Sequence, residues 1–197
     1  MITKTTEAKV KGIWLIDWAK MINKYIKDHP DQKDRLKEYL NPEELQELKI
    51  MLLPVKKYPY AFFRRLGRAV FHIVAQGNLQ ATRVFGKLLM NNLLQAYKNI
   101  LVADYPRASL QNFINYHAHC FSGVASRISM KTISDKSVKI LLTLTDEDKE
   151  FVEAATAFAE QLAGNFEELT SQAGGKNVKL DMVKNKDNNY EYSLSWE

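Results

Sequence analysis

"VASRISMKTISDKSVKILLTLTDEDK", residues 124–149, is where the hydrophobic period of the chain falls from about 3.6 residues to about 2. Val124, Ser126, Ile128 and Met130 alternate with Ala125, Arg127, Ser129 and Lys131. Val138, Ile140, Leu142 and Leu144 alternate with Lys139, Leu141 and Thr143. Such alternation sends successive side chains to opposite faces of a strand. The polar "SDK" between the two runs makes them a hairpin. Thr145 with Asp148 then forms a helix-starting box. The helix it opens is expected to reach about Gln172, with a buried stripe of Phe151, Ala155, Phe158, Leu162, Phe166 and Leu169. Gly174 and Gly175 stop it. In "KNVKLDMVKNKDNNYEYSLSWE", Val178, Leu180 and Met182 face one way, as do Tyr190, Tyr192, Leu194 and Trp196 after the turn "NKDN".

Upstream the pattern is helical. Trp14, Trp18, Met21, Ile22, Tyr25 and Ile26 recur at helical spacing, and Pro30 ends that segment. "DQKDRLKEYL" reads as a second, short helix. Asn41, Pro42 and Glu44 carry strong start signals for a third. "LLPVKKYPY" reads as a loop. A longer helix over about residues 60–75 buries Phe62, Phe63, Leu66, Val70, Ile73 and Val74. "NLQATRVFGKLLMNNLLQAYKNILVA" is helical with an expected bend near Asn91 and Asn92, and "YPRASLQNFINYHAHCF" is the last helix before Gly123. The order predicts an α+β fold: a helical N-terminal half, then β-β-α-β-β forming a four-stranded antiparallel sheet packed with a long helix. The chain reads as a single domain, with a helical part at 1–122 and a sheet-plus-helix part at 123–197, because neither hairpin is stable alone.

Composition narrows the function. Of 197 residues, 46% are apolar and 26% charged, ordinary for a soluble globular chain. The net charge of +5 is mild and the acidic residues are interspersed, which disfavours a dedicated nucleic-acid binder. One cysteine excludes an internal disulfide and a thiolate-based zinc site. The polar start "MITKTTEAKVKG" lacks the apolar core of a signal peptide, and charges interrupt the longest apolar-rich stretches. No membrane span and a cytoplasmic location are the expectations.

Four features together resemble a known family: "VKG" before the first helix, Tyr58–Pro59, a helix ending "FSG" before the first hairpin, and the closing "NNYEYSLSWE". They are similar to a bacterial family first noted as a set of myxobacterial paralogues. That family is similar in pattern to the haem nitric-oxide/oxygen-binding, vinyl-reductase-like and TRAPP domains. The resemblance covers nearly the whole chain and is carried by hydrophobic pattern and topology. Its haem-binding relatives use a histidine on the helix before the segment leading into the sheet, and a Tyr-x-Ser-x-Arg motif on the propionates. Here the matching helix region, "NNLLQAYKNILVADYP", has no histidine, and the motif's place reads Leu142-x-Leu144-x-Asp146. The resemblance therefore implies a sensory or interaction scaffold without the relatives' cofactor, and a pocket between the helical half and the sheet.

The most chemical-looking stretch is "NYHAHCFSG", with His117, His119 and Cys120. At ~100° per residue on a helix, Leu110, Phe113, Ile114, His117 and Phe121 share a face while His119 points away. Two histidines two apart cannot ligate one ion without unwinding the helix. His117 and Cys120 can, but no HExxH or CxxC supplies the remaining ligands. Cys120 lies near a helix C-terminus, where the dipole disfavours a thiolate. His117, Phe121, Phe113 and Trp18 are the candidate pocket-lining residues. Arg64, Arg65, Arg68 and His72, preceded by Lys56 and Lys57, form a candidate patch for an anion or an acidic partner. The aromatics Trp14, Trp18, Tyr25, Phe62, Phe63, Tyr190, Tyr192 and Trp196 read as core or as a ligand or dimer surface. No P-loop, GxGxxG or GxSxG occurs, and Glu43–Glu44 and Glu167–Glu168 are explained by capping or solvation.

The sequence thus points to a non-enzymatic sensory or interaction module without a cofactor. It is expected to bind a small apolar ligand or a protein partner, which includes a homodimer, in a bacterial signalling pathway. The alternative is a haem- or metal-binding gas or redox sensor using His117.

Overall fold

The structure, a computed structural model, describes residues 7–123 and 125–197. Val124, the first position of the strand alternation, lies outside them. Two compact units emerge, the first running to Leu79 and taking back Cys120–Ala125, the second made of Gln80–His119 and Ser126–Glu197.

In the first unit, β1 (Lys9–Lys11) leads through Gly12 into α1 (Ile13–Asp28). Pro30–Glu38 follows as a 3₁₀-helix rather than the expected α-helix, with Leu36 its one buried residue. α2 (Pro42–Lys49) starts as the sequence predicts. The Asn41 side chain accepts from the Glu44 N–H at 2.9 Å, and the Glu44 carboxylate accepts from the Asn41 N–H at 3.0 Å. β2 (Lys57–Pro59) precedes α3 (Tyr60–Ala69). The helix expected over residues 60–75 then widens into a π turn at Val70–Val74, where the Ala75 N–H donates to the Val70 carbonyl at 2.9 Å. β1 pairs antiparallel with β2 and with β3 (Phe121–Ser122), giving a small sheet in the order β2-β1-β3. Strands of two or three residues are too short to show alternation, so part of "LLPVKKYPY" that reads as loop is strand. The core holds Val10, Leu15, Trp18, Ile22, Phe62, Phe63, Leu66 and Ile73.

In the second unit, the sheet has the order β4-β5-β7-β6, every pair antiparallel. β4 is Arg127–Ser134, β5 Ser137–Thr143, β6 Lys179–Lys184 and β7 Tyr190–Ser195. Register sets Leu142 opposite Tyr190, Ile140 opposite Tyr192 and Val138 opposite Leu194, so the two central strands share one apolar face. The α+β class and the four-stranded sheet are as the sequence predicts. Three details differ. α4 (Leu79–Ala96) passes unbroken through Asn91 and Asn92, and the chain turns only at a 3₁₀ segment, Lys98–Ile100, before α5 (Pro106–Cys120). The Thr145–Asp148 box opens only a single turn, α6 (Asp146–Glu150). α7 (Val152–Gln172) then begins a new phase, which leaves Phe151 40% exposed at the break and Phe158 half-buried.

α7 is also not amphipathic at its centre: all six residues from Gln161 to Phe166 are buried. The sheet covers one side, where the Tyr192 hydroxyl donates to the Ala159 carbonyl at 3.0 Å. α4 covers the other, and the crossing rests on two glycines. A methyl group at Gly86 would overlap the Gln161 carbonyl, and one at Gly164 would overlap the Arg83 carbonyl. Bare backbone on both helices is what allows this approach.

Candidate functional site

His117 sits on α5, whose start is set by Pro106 at its first position. Leu110, Phe113, Ile114 and His117 are each 5% exposed or less, whereas His119 is exposed, so the helix presents the two histidines to different surroundings. Phe113 meets the Phe166 ring edge-on at 5.9 Å, and Phe166 meets Tyr192 edge-on at 5.2 Å. Desolvation holds the His117 imidazole down at about 3, so it is neutral with a lone pair at physiological pH. His117 is the only buried one of the four histidines. Among the described residues no group of three or more His, Cys, Asp or Glu is placed to hold a metal ion.

Trp18 and Phe121 belong to the first unit. Trp18 stacks on Phe63 at 4.7 Å, and Phe63 meets Phe121 edge-on at 5.4 Å. Tyr60 stacks on Phe63 at 5.5 Å, and Trp14 contacts Phe121 at 5.1 Å. Phe63, which the sequence reads as core or as part of a ligand or dimer surface, is the ring that joins Trp18 to Phe121.

The basic patch is engaged within the molecule. Arg65 Nε donates to both Glu44 oxygens at 2.9 and 3.0 Å, and this contact holds the guanidinium in its charged form. Arg68 lies over the Tyr39 ring at 5.8 Å, and His72 stacks on the same ring at 5.5 Å. Arg64 lies over Tyr60 at 5.5 Å. Glu44 thus serves both as helix cap and as an ion-pair partner.

Sequence reasoning missed the ion cluster at the α4–α7 crossing. Arg83 donates to Glu167 at 2.6 Å, to Glu160 at 3.3 Å and to the Leu180 carbonyl at 3.2 Å. Lys87 reaches Glu167 at 3.0 Å. Burial raises the Glu167 carboxyl, and the hydrogen bonds from Arg83 and Lys87 outweigh that, so its pKa ends below normal. Glu167 is therefore paired, not merely solvated. The signal was available: Glu160 and Glu167 are seven apart, two turns along one face. Beside the cluster, a polar groove of about 700 Å³ is lined by Lys87, Glu167, Ser171, Gly175 and Lys176.

The helices followed by this sheet define the fold of the haem nitric-oxide/oxygen-binding (H-NOX) domains. The ferrous, unliganded H-NOX protein from K. algicida superposes with a TM-score of 0.67 at 11% identity, over 95% of this chain and 96% of that one. An oxygen-binding H-NOX domain related to soluble guanylate cyclases, as its oxygen complex, gives 0.61 at 12% identity, over 95% of each chain. A phenylalanine-to-leucine variant of Tt H-NOX gives 0.64 at 10% identity, again over 95% of each. At these identities the likeness is one of fold. No protein-family model and no curated protein matches the chain.

The fold family implies haem, and the residues fit it in part. Residues 91–106, where the sequence comparison seeks an axial histidine, contain none, and α5 stands between that region and the sheet. Leu142 on β5 and Leu144 just after it are buried, and Asp146 at the start of α6 is exposed, so these positions offer no polar set for the propionates. What is present is one buried, neutral imidazole, His117. No helix among the described residues is long and apolar enough to cross a membrane.

Proposed function

We propose that the chain is a sensory domain rather than an enzyme, that it forms a single domain, and that its responsive group is haem held through His117. The single observation that carries this reading is the burial of one neutral imidazole in a chain with an H-NOX fold. Porphyrin brings four of the iron's ligands, so one protein nitrogen suffices, whereas a bare metal ion needs a cluster of side chains. The fold likeness favours haem over a metal-free apolar ligand or a protein partner, the readings placed first on the sequence alone. Coverage of 95% of the chain by one H-NOX domain supports the single-domain reading. Haem bound there would supply an iron able to take a diatomic gas. His117 would hold the iron, and Phe113, one turn earlier on α5, would be an apolar wall beside it. Charge for the propionates would have to come from outside the segment that holds Leu142 and Leu144.

The experiment is titration of the purified chain with hemin, followed by reduction. The wild type is expected to develop a Soret band that His117→Ala loses and His119→Ala keeps. A wild type that stays colourless refutes the haem reading and leaves a metal-free ligand or a protein partner.

A further inference from the structure

We propose that the loop at residues 50–55 docks this protein on an anionic lipid bilayer. It joins α2 to β2 and reads Ile-Met-Leu-Leu-Pro-Val. Ile50 is 57% exposed, Met51 83%, Leu53 53% and Val55 78%, four large apolar side chains within six positions. Soluble surfaces scatter such residues singly, and a contiguous set marks an interaction site.

The display is held in place by the backbone. The Leu53 N–H donates to the Tyr58 hydroxyl at 3.1 Å, and the Pro54 and Lys56 carbonyls accept from the Ile13 and Gly12 N–H groups at 3.1 and 2.8 Å. Gly12 is required there, because a methyl group would overlap the Leu53 carbonyl. Leu52 turns inward and is 5% exposed. The loop therefore cannot collapse to hide its neighbours' side chains, and little ordering remains to be done on binding.

Charge selects the occupant. Lys49 and Lys57 flank the apolar run, exposed and without an ion pair among the described residues. Lys56 adds a third cation, offset by Glu47 at 3.1 Å. An exposed apolar loop with a cation at each end suits the bilayer interface: the side chains enter the headgroup–acyl boundary while the ammonium groups meet anionic headgroups. No matching pocket on a partner is needed. This docking is independent of whether haem is bound.

The test is co-sedimentation of the full chain with vesicles of phosphatidylcholine mixed with phosphatidylglycerol, and with vesicles of phosphatidylcholine alone. Binding is expected to the mixed vesicles and to weaken as salt rises. Lys49→Gln with Lys57→Gln should weaken it about thirtyfold, five- to sixfold per lysine. Met51→Asp with Val55→Asp, at exposed positions that leave circular dichroism unchanged, should weaken it by at least about tenfold. An environment-sensitive dye on Met51→Cys should shift to the blue on mixed vesicles and should not on vesicles of phosphatidylcholine alone. A wild type left in the supernatant with mixed vesicles overturns the proposal and passes the loop to a protein partner. Binding untouched by the Met51 and Val55 substitutions overturns it equally.

Discussion

Acidification should destabilise this protein through His117. Burial lowers the imidazole from its ordinary 6.5 to about 3 in the folded chain, while the unfolded chain keeps the ordinary value. The unfolded state therefore binds the proton first, and stability falls as pH drops from 6.5 towards 3. Above 6.5 the group costs nothing. The slope in the window is ~1.4 kcal/mol per pH unit, so about 2 kcal/mol is lost by pH 5 and about 5 kcal/mol at the acid limit. The assay is urea unfolding of the wild type and His117→Gln at several values between about pH 7.5 and 5. The variant is less stable at neutral pH, but its curve should be flatter by about 2 kcal/mol over the window. Parallel curves would refute the reasoning, as would an imidazole resonance of His117 that titrates near 6.5.

Other substitutions probe the second unit. Gly164→Ala should cost about 3 kcal/mol or more in urea unfolding, because the Arg83 carbonyl it would strike is helix backbone that cannot step aside. Arg83→Ala should cost about 3 kcal/mol by removing the cation that bridges Glu160 and Glu167 and leaving Glu167 with Lys87 alone, and Arg83→Met with Glu167→Leu should recover part of that loss in a double-mutant cycle. Tyr192→Phe should cost about 1 kcal/mol by removing the hydroxyl that donates to the Ala159 carbonyl. Burial raises the Tyr192 phenol above its ordinary 10, so stability should fall as pH climbs past 10, and Tyr192→Phe should blunt that fall in alkaline unfolding curves.

Much of this architecture is legible because it is local. Alternation at Ile128–Met130 and Val138–Leu144 needs only the pleat, and the boxes at Asn41–Glu44 and Thr145–Asp148 close within one turn. What escapes is set by partners distant in sequence. β1, β2 and β3 bring together residues near 10, 58 and 121, and two or three residues carry no period. The unbroken burial of α7 depends on α4 arriving at Gly86, which a single-helix stripe cannot show. Phe151 falls on that stripe by spacing, yet the end of α6 turns it outward. At the candidate site, the wheel separates His117 from His119 correctly, because α5 is regular. The arginine face is visible too, but not Glu44 and Tyr39, which its side chains engage from other elements.

The reduced absorption spectrum after hemin titration tests the account most directly. A Soret band in the wild type and in His119→Ala, absent in His117→Ala, is the predicted result. A colourless wild type, or a band of equal strength in His117→Ala, would contradict it.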